Sequence, residues 1–348
     1  MILIQRVNHF VHQHLLKLLV AMYAIAVVLP KAGVAIKNAK VGTIHWVPIG
    51  SVDISLPIMM LAFLLFNAGL SVNISSLRKV FLAPVPLLVG LVANLLVPLC
   101  FTLIFAALGK VFWHNPDEIQ NILVGLAIIA SMPIAGSSTA WVQSSGGNPA
   151  LILGLVLLST VMSPILSPVV YHSIGFITTG DYSEDLHEIA SQGASSFLIV
   201  SVVIPSLLGI GLRTLMSNDR WLIISPFLKM ASLLCLLVLN YSNAAVSLPM
   251  ALKVWDLDFF VLIALTTLAL CALSFYLGWR IPKLLRISDS ERISLTYGLG
   301  MSNNGTGLVL ASTTMADHPL VMLPIIVYNL GQQIVGGIFS SKMVKREK

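Results

Sequence analysis

Long apolar windows separated by short polar breaks run through the whole chain. Read between charged residues and Gly/Pro clusters, they predict ten membrane-spanning helices near 13–31, 52–71, 83–108, 120–142, 149–174, 193–214, 222–248, 257–279, 293–314 and 319–340. Runs such as Phe259 to Phe275 lack the turn-punctuated alternation of a barrel strand, so their peptide groups must be satisfied inside helices. The predicted class is an all-α polytopic membrane protein. Composition agrees: only 10% of the 348 residues are charged and 57% are apolar, where a soluble domain carries about 25% charged residues. The longest polar connection, 175–192, is too short to fold alone.

An even number of spans places both termini on one side. That side holds Arg6, Arg78, Lys79, Arg213, Arg220, Arg280, Lys283, Arg286, Arg292, Lys342, Lys345, Arg346 and Lys348, 13 of the 20 basic residues. The excess predicts cytoplasmic termini and a cell (inner) membrane location. The net charge of +6 is accounted for by this asymmetry and implies a lipid partner rather than nucleic acid. Cys100, Cys235 and Cys271 all fall in apolar runs and read as packing residues.

Landmarks in the first half return about 170 residues later, as an inverted repeat of five plus five spans requires. Gly136-Ser137 is echoed by Gly305-Thr306, Asn148-Pro149 by His318-Pro319, and Asn67 ahead of Leu77–Val80 by Asn243 ahead of Leu252–Val254. The expected repeats are 1–174 (spans 1–5) and 193–340 (spans 6–10).

Two spans at matched positions are interrupted by helix-weakening residues: Pro133 to Thr139, and Gly298 to Gly307. Proline removes a donor and clashes with the preceding turn, and each glycine weakens a helix by about 1 kcal/mol relative to alanine. Unwound backbone at membrane depth offers carbonyls to a cation and N–H groups to an anion, and survives only when buried in protein or facing water. The candidate substrate-binding residues are therefore Pro133, Gly136, Ser137, Asn303, Asn304 and Gly305. Close helix packing is the competing explanation of these small residues. Asn94 is a buried amide that could serve as ligand or as interhelical glue; Asn329, Gln332 and Gln333 rank below the others. All fourteen acidic residues fall in loops or at span ends, so the usual intramembrane proton carrier is missing. HExxH, P-loop and GxSxG motifs are absent, which argues against an enzyme.

Four blocks resemble the bile acid:sodium symporter family over nearly the whole chain. They are Phe66–Leu70, Gly90–Asn94, Pro133–Thr139 with Ser159–Pro168, and Gly300–Gly305, the last resembling the family's Gly-Met-Gln-Asn-Ser-Gly motif. The resemblance implies a panel of spans 1, 2, 6 and 7, a core of spans 3–5 and 8–10, and crossed discontinuous helices 4 and 9 beside the substrate. It also implies sodium as a bound ion, with Asn94, Ser138, Thr139 and Ser302 falling on ligand positions and carbonyls near Leu299 and Met301 adding to them. Three family ligand positions are lost: its span-nine Glu falls on Gly298, and two span-five hydroxyls fall on Ile152 and Val156.

The function expected from these readings is secondary active transport of a small organic anion, bile-acid-like or a small carboxylate, by alternating access, with sodium coupling implied by the resemblance. Backbone N–H groups and neutral amides suit an anion that a buried carboxylate would repel. An uncoupled facilitator or exchanger similar to auxin-efflux or arsenite carriers, and a membrane receptor that does not transport, remain as alternatives. Cofactors are not expected.

Overall fold

The computed structural model describes residues 14–46, 50–72, 84–254 and 256–344. Arg6, the Leu77–Val80 landmark with Arg78 and Lys79, and Lys345, Arg346 and Lys348 lie outside the described residues. The chain is nearly all helical: α1 (Leu15–Val28), α2 (Pro30–Asn38), α3 (Leu56–Leu70), α4 (Pro84–Phe112), α5 (Pro116–Ser131), α6 (Ser138–Ser144), α7 (Pro149–Gly175), α8 (Asp181–Glu188), α9 (Ala194–Leu215), α10 (Asn218–Val254), α11 (Leu257–Leu284), α12 (Asp289–Gly300), α13 (Asn304–Thr314) and α14 (Met322–Val344). Among the described residues, six helices are long and apolar enough to cross a membrane, and α1 with α2 adds a seventh if that bent pair is one span.

Helix starts follow local chemistry. Asn115 caps α5, its side chain accepting from the Asp117 N–H with Pro116 at the first turn, and Asn148 caps α7 in the same way through Ala150 and Leu151. The first predicted span is not straight, because α1 and α2 meet at 97° where Pro30 cannot continue the ladder. A purely α fold also needs correction. Residues Lys40–Trp46 and Gly50–Ser55 pair as antiparallel strands β1 and β2, a hairpin whose β-branched Val41, Thr43, Ile44, Val52 and Ile54 favour extended backbone over helix. Lys40 pairs with Asp53 at 3.1 Å across it. The hairpin delays the second helix, so α3 has 15 residues.

The helices sort into two groups by what they touch. α10 packs along α1, α2 and α3, and α3 packs along α9. The α3–α9 contact is close enough that a Cβ on Gly69 would lie 2.1 Å from the Ser206 carbonyl, and one on Gly209 2.1 Å from the Phe66 carbonyl. The second group joins α4 with α5, α5 and α4 with α7, and α11 with α12 and α14. Its centre is the core of α5, where Ile122 to Ile129 are fully buried.

Candidate functional site

Helix α5 stops at Ser131 because Pro133 withholds an N–H, and α12 stops at Gly300 within the glycine-rich run. Both segments then run extended and meet. The Ala135 N–H donates to the Met301 carbonyl at 2.8 Å, and the Asn303 N–H donates to the Pro133 carbonyl at 2.9 Å. Ile134 and Ser302 thus face each other as an isolated antiparallel bridge. Peptide groups freed by two breaks satisfy one another, which lets irregular backbone persist inside an apolar protein. The Ile134 N–H is also held, donating to Ser159 Oγ at 3.1 Å.

Around this crossing the expected residues take distinct places. Gly136 and Ser137 are exposed, and a Cβ on Gly136 would meet nothing within 4 Å. Ser138 Oγ and Thr139 Oγ1 donate to the Ala135 and Gly136 carbonyls, at 2.6 and 2.8 Å, in the first turn of α6. Asn303 caps α13, its Oδ1 accepting from the Thr306 N–H at 3.4 Å, and with Gly305 it is half-buried. Asn304 is buried and donates through Nδ2 to Gln332 Oε1 at 3.0 Å; the Ser302 N–H donates to the same oxygen at 3.1 Å. Leu299 and Met301 are buried. Asn94 stands apart, in a cleft shared with Ser131, Pro133, Ser159 and Ser163 beside the first break.

Gln332 therefore does more than its low rank in the sequence implied, since it holds both the second break and Asn304. Beyond it the chain of bonds continues to Asn329, Tyr23 and Asn240, two of which carry no motif at all. The polar pair Asn240 and Asn243, one turn apart in an otherwise apolar run, was the available signal. Among the buried polar side chains of the described residues the only carboxylate is Glu118, and it sits in the first turn of α5, bonded to Trp113 and Asn115. The crossing is neutral apart from its peptide dipoles.

Residues 58–250 match the model of the sodium bile acid symporter family. The chain belongs to that family. A Bacillus subtilis (strain 168) protein described as uncharacterized, YbaS, is 30% identical over 279 residues, covering 80% of this chain and 85% of its own. A second protein of that organism, YocS, described as an uncharacterized sodium-dependent transporter, is 20% identical over 295 residues, covering 83% and 84%. Sodium bile acid symporter family members are transporters rather than enzymes, and this chain is an integral membrane protein.

The family's name implies sodium, and the residues can be tested against it. At Gly298, a Cβ would meet the Ile152 and Leu155 Cδ1 atoms at 3.4 Å and the Ile134 Cδ1 at 3.7 Å. Hydrocarbon therefore surrounds the position where the resemblance puts a carboxylate, and Ile152 is fully buried there. A hard cation takes several oxygen ligands, so this place does not fit sodium. No transport step is assigned to the ion. The expected result is the same thermal midpoint for the purified protein in sodium and in potassium chloride at equal ionic strength. A sodium-specific rise would show that the ion binds the folded protein elsewhere than at Gly298.

Proposed function

We propose that the protein is a secondary transporter of a small organic anion, built as a ten-span inverted repeat and working by alternating access. The helices of spans 3–5 and 8–10 form the moving core, and those of spans 1, 2, 6 and 7 the panel; both termini lie in the cytoplasm. The observation that carries this reading is the backbone pairing of the two broken helices, which gathers peptide dipoles, the half-buried Asn303 and the buried Asn304 at one place. The N-terminus of α13 there favours negative charge, and among the described residues no carboxylate is buried at the crossing to oppose it. Pro133, Gly136, Ser137, Asn303, Asn304 and Gly305 are the cargo contacts of this reading.

Purified protein in vesicles should take up at least one member of a panel of carboxylates and sulfonates saturably. Absence of flux for every one, under sodium, potassium and proton gradients alike, would sink the proposal. The hydrocarbon around Gly298 favours a second reading, a facilitator or exchanger on the same architecture that runs equally well in sodium and potassium.

A further inference from the structure

A continuous chain of buried hydrogen bonds leaves the second break and ends in the other group of helices. Gln332 Nε2 on α14 donates to Asn329 Oδ1 at 3.3 Å. Asn329 Nδ2 reaches both Tyr23 Oη on α1 and Asn240 Oδ1 on α10, each at 3.0 Å. The triangle closes where Tyr23 Oη donates to Asn240 Oδ1 at 2.9 Å, and Asn240 Nδ2 is held by its own helix at Leu236. Tyr23, Asn240, Asn329 and Gln332 are all under 9% exposed. Every polar atom of Asn240 and Asn329 thus has a partner.

The neighbouring face is the opposite. Asn243 and Ser247, one and two turns beyond Asn240 on α10, are fully buried, yet neither side chain has a hydrogen-bond partner. Asn304 Oδ1 and Thr306 Oγ1 are orphaned likewise at the start of α13, the half-helix that packs against α10. Buried polar groups are nearly always paired, so a cluster of side chains that no protein group satisfies, beside a fully satisfied network, points to water or cargo as their partner.

We propose that Tyr23, Asn240 and Asn329 form a latch between panel and core that closes this polar face of α10, and that Gln332 ties the latch to Asn304 at the crossing. The inference rests on the core moving against the panel. An anion that engages Asn304 takes the Nδ2 donor from Gln332 Oε1, which releases Gln332 and with it Asn329, and frees α10 to wet Asn243 and Ser247. The three are positioning residues; none needs to touch cargo. The opened face offers an amide and a hydroxyl, neutral groups that fit the polar end of an anion's hydrogen-bonding shell.

Ser247→Cys in the full chain, with Cys100→Ala and Cys235→Ala, reports opening through its reaction with a membrane-impermeant maleimide added to either side of the vesicle. Cys271, fully buried in α11, stays in place as the control for general loosening. Tyr23→Phe and Asn329→Leu are each expected to speed labelling of Cys at 247 by about tenfold, the factor that one lost buried hydrogen bond commands. The double variant should be little faster than Asn329→Leu alone, because both break one triangle. Unchanged labelling in both variants, with flux retained, overturns the latch and leaves the carrier standing. Labelling that rises together with that of Cys271 signals loosening and overturns it too. Absence of flux in every form of the protein counts against the carrier reading itself.

Discussion

Asn303→Ala lowers cargo flux in vesicles several-fold, and Asn304→Ala by up to about a hundredfold, while the protein inserts and elutes as the wild type does; this is the largest functional effect expected. Asn303 supplies the cap of α13, and replacing such a cap by alanine costs about 1 kcal/mol. That is too little to unfold a membrane domain but enough to shift the half-helix whose N-terminus faces the crossing. Asn304 is the stronger case. Its Nδ2 is one of two donors on Gln332 Oε1, and its Oδ1 is unpaired inside the protein. Alanine removes both the tie to Gln332 and the Nδ2 donor that an anion would take, a change worth roughly 1–3 kcal/mol, or about fivefold to 150-fold in affinity. Uptake normalised to inserted protein is the measurement. Wild-type uptake in both variants would remove these amides from the site.

The largest loss of stability is expected at the α3–α9 contact. Gly69 and Gly209 let the two backbones approach until each glycine lies against a carbonyl of the other helix, with only 2.1 Å available to a Cβ. Small residues at such crossings are how helices pack in lipid, where no hydrophobic gain from water drives association. The neighbour is backbone at both positions, so it cannot rotate away. Gly209→Ala should cost roughly 1–3 kcal/mol by overpacking, and Gly209→Leu should leave little protein in the folded peak. Thermal midpoints and size-exclusion profiles check this; an unshifted Gly209→Ala midpoint would show that the helices are not so close. The same substitution at Gly136, open on all sides, should leave the midpoint unchanged.

The apolar windows located the long helices because membrane length and apolarity are local properties of a stretch of residues; against ten expected spans, six single helices among the described residues are long and apolar enough to cross. Breaks at Pro133 and in the Gly298–Gly307 run were legible for the same reason: a missing N–H and a missing Cβ act on their own turn. The hairpin over Lys40–Ser55 was not, since its alternation is short and flanked by apolar helices that dominate any window. The bend after Val28 was legible only as a proline, whose presence limits a helix but does not set the direction of the next one. The hydrocarbon packed about Gly298 could be inferred in part, from Ile152 and Val156 in place of hydroxyls; that Ile134 and Leu155 complete it required coordinates.

Sequence alone determined that the chain is a bundle of membrane helices with two weak points and neutral amides beside one of them. Tertiary structure decided that the weak points pair through Ala135, Met301, Asn303 and Pro133, and that Gln332 leads from there to Tyr23 and Asn240. The physical reason is range. Helix breaking and apolarity act within a turn or two of the residue that causes them. A hydrogen bond between Tyr23 and Asn329 joins groups 306 positions apart, and with Asn240 it depends on how three helices are turned against one another.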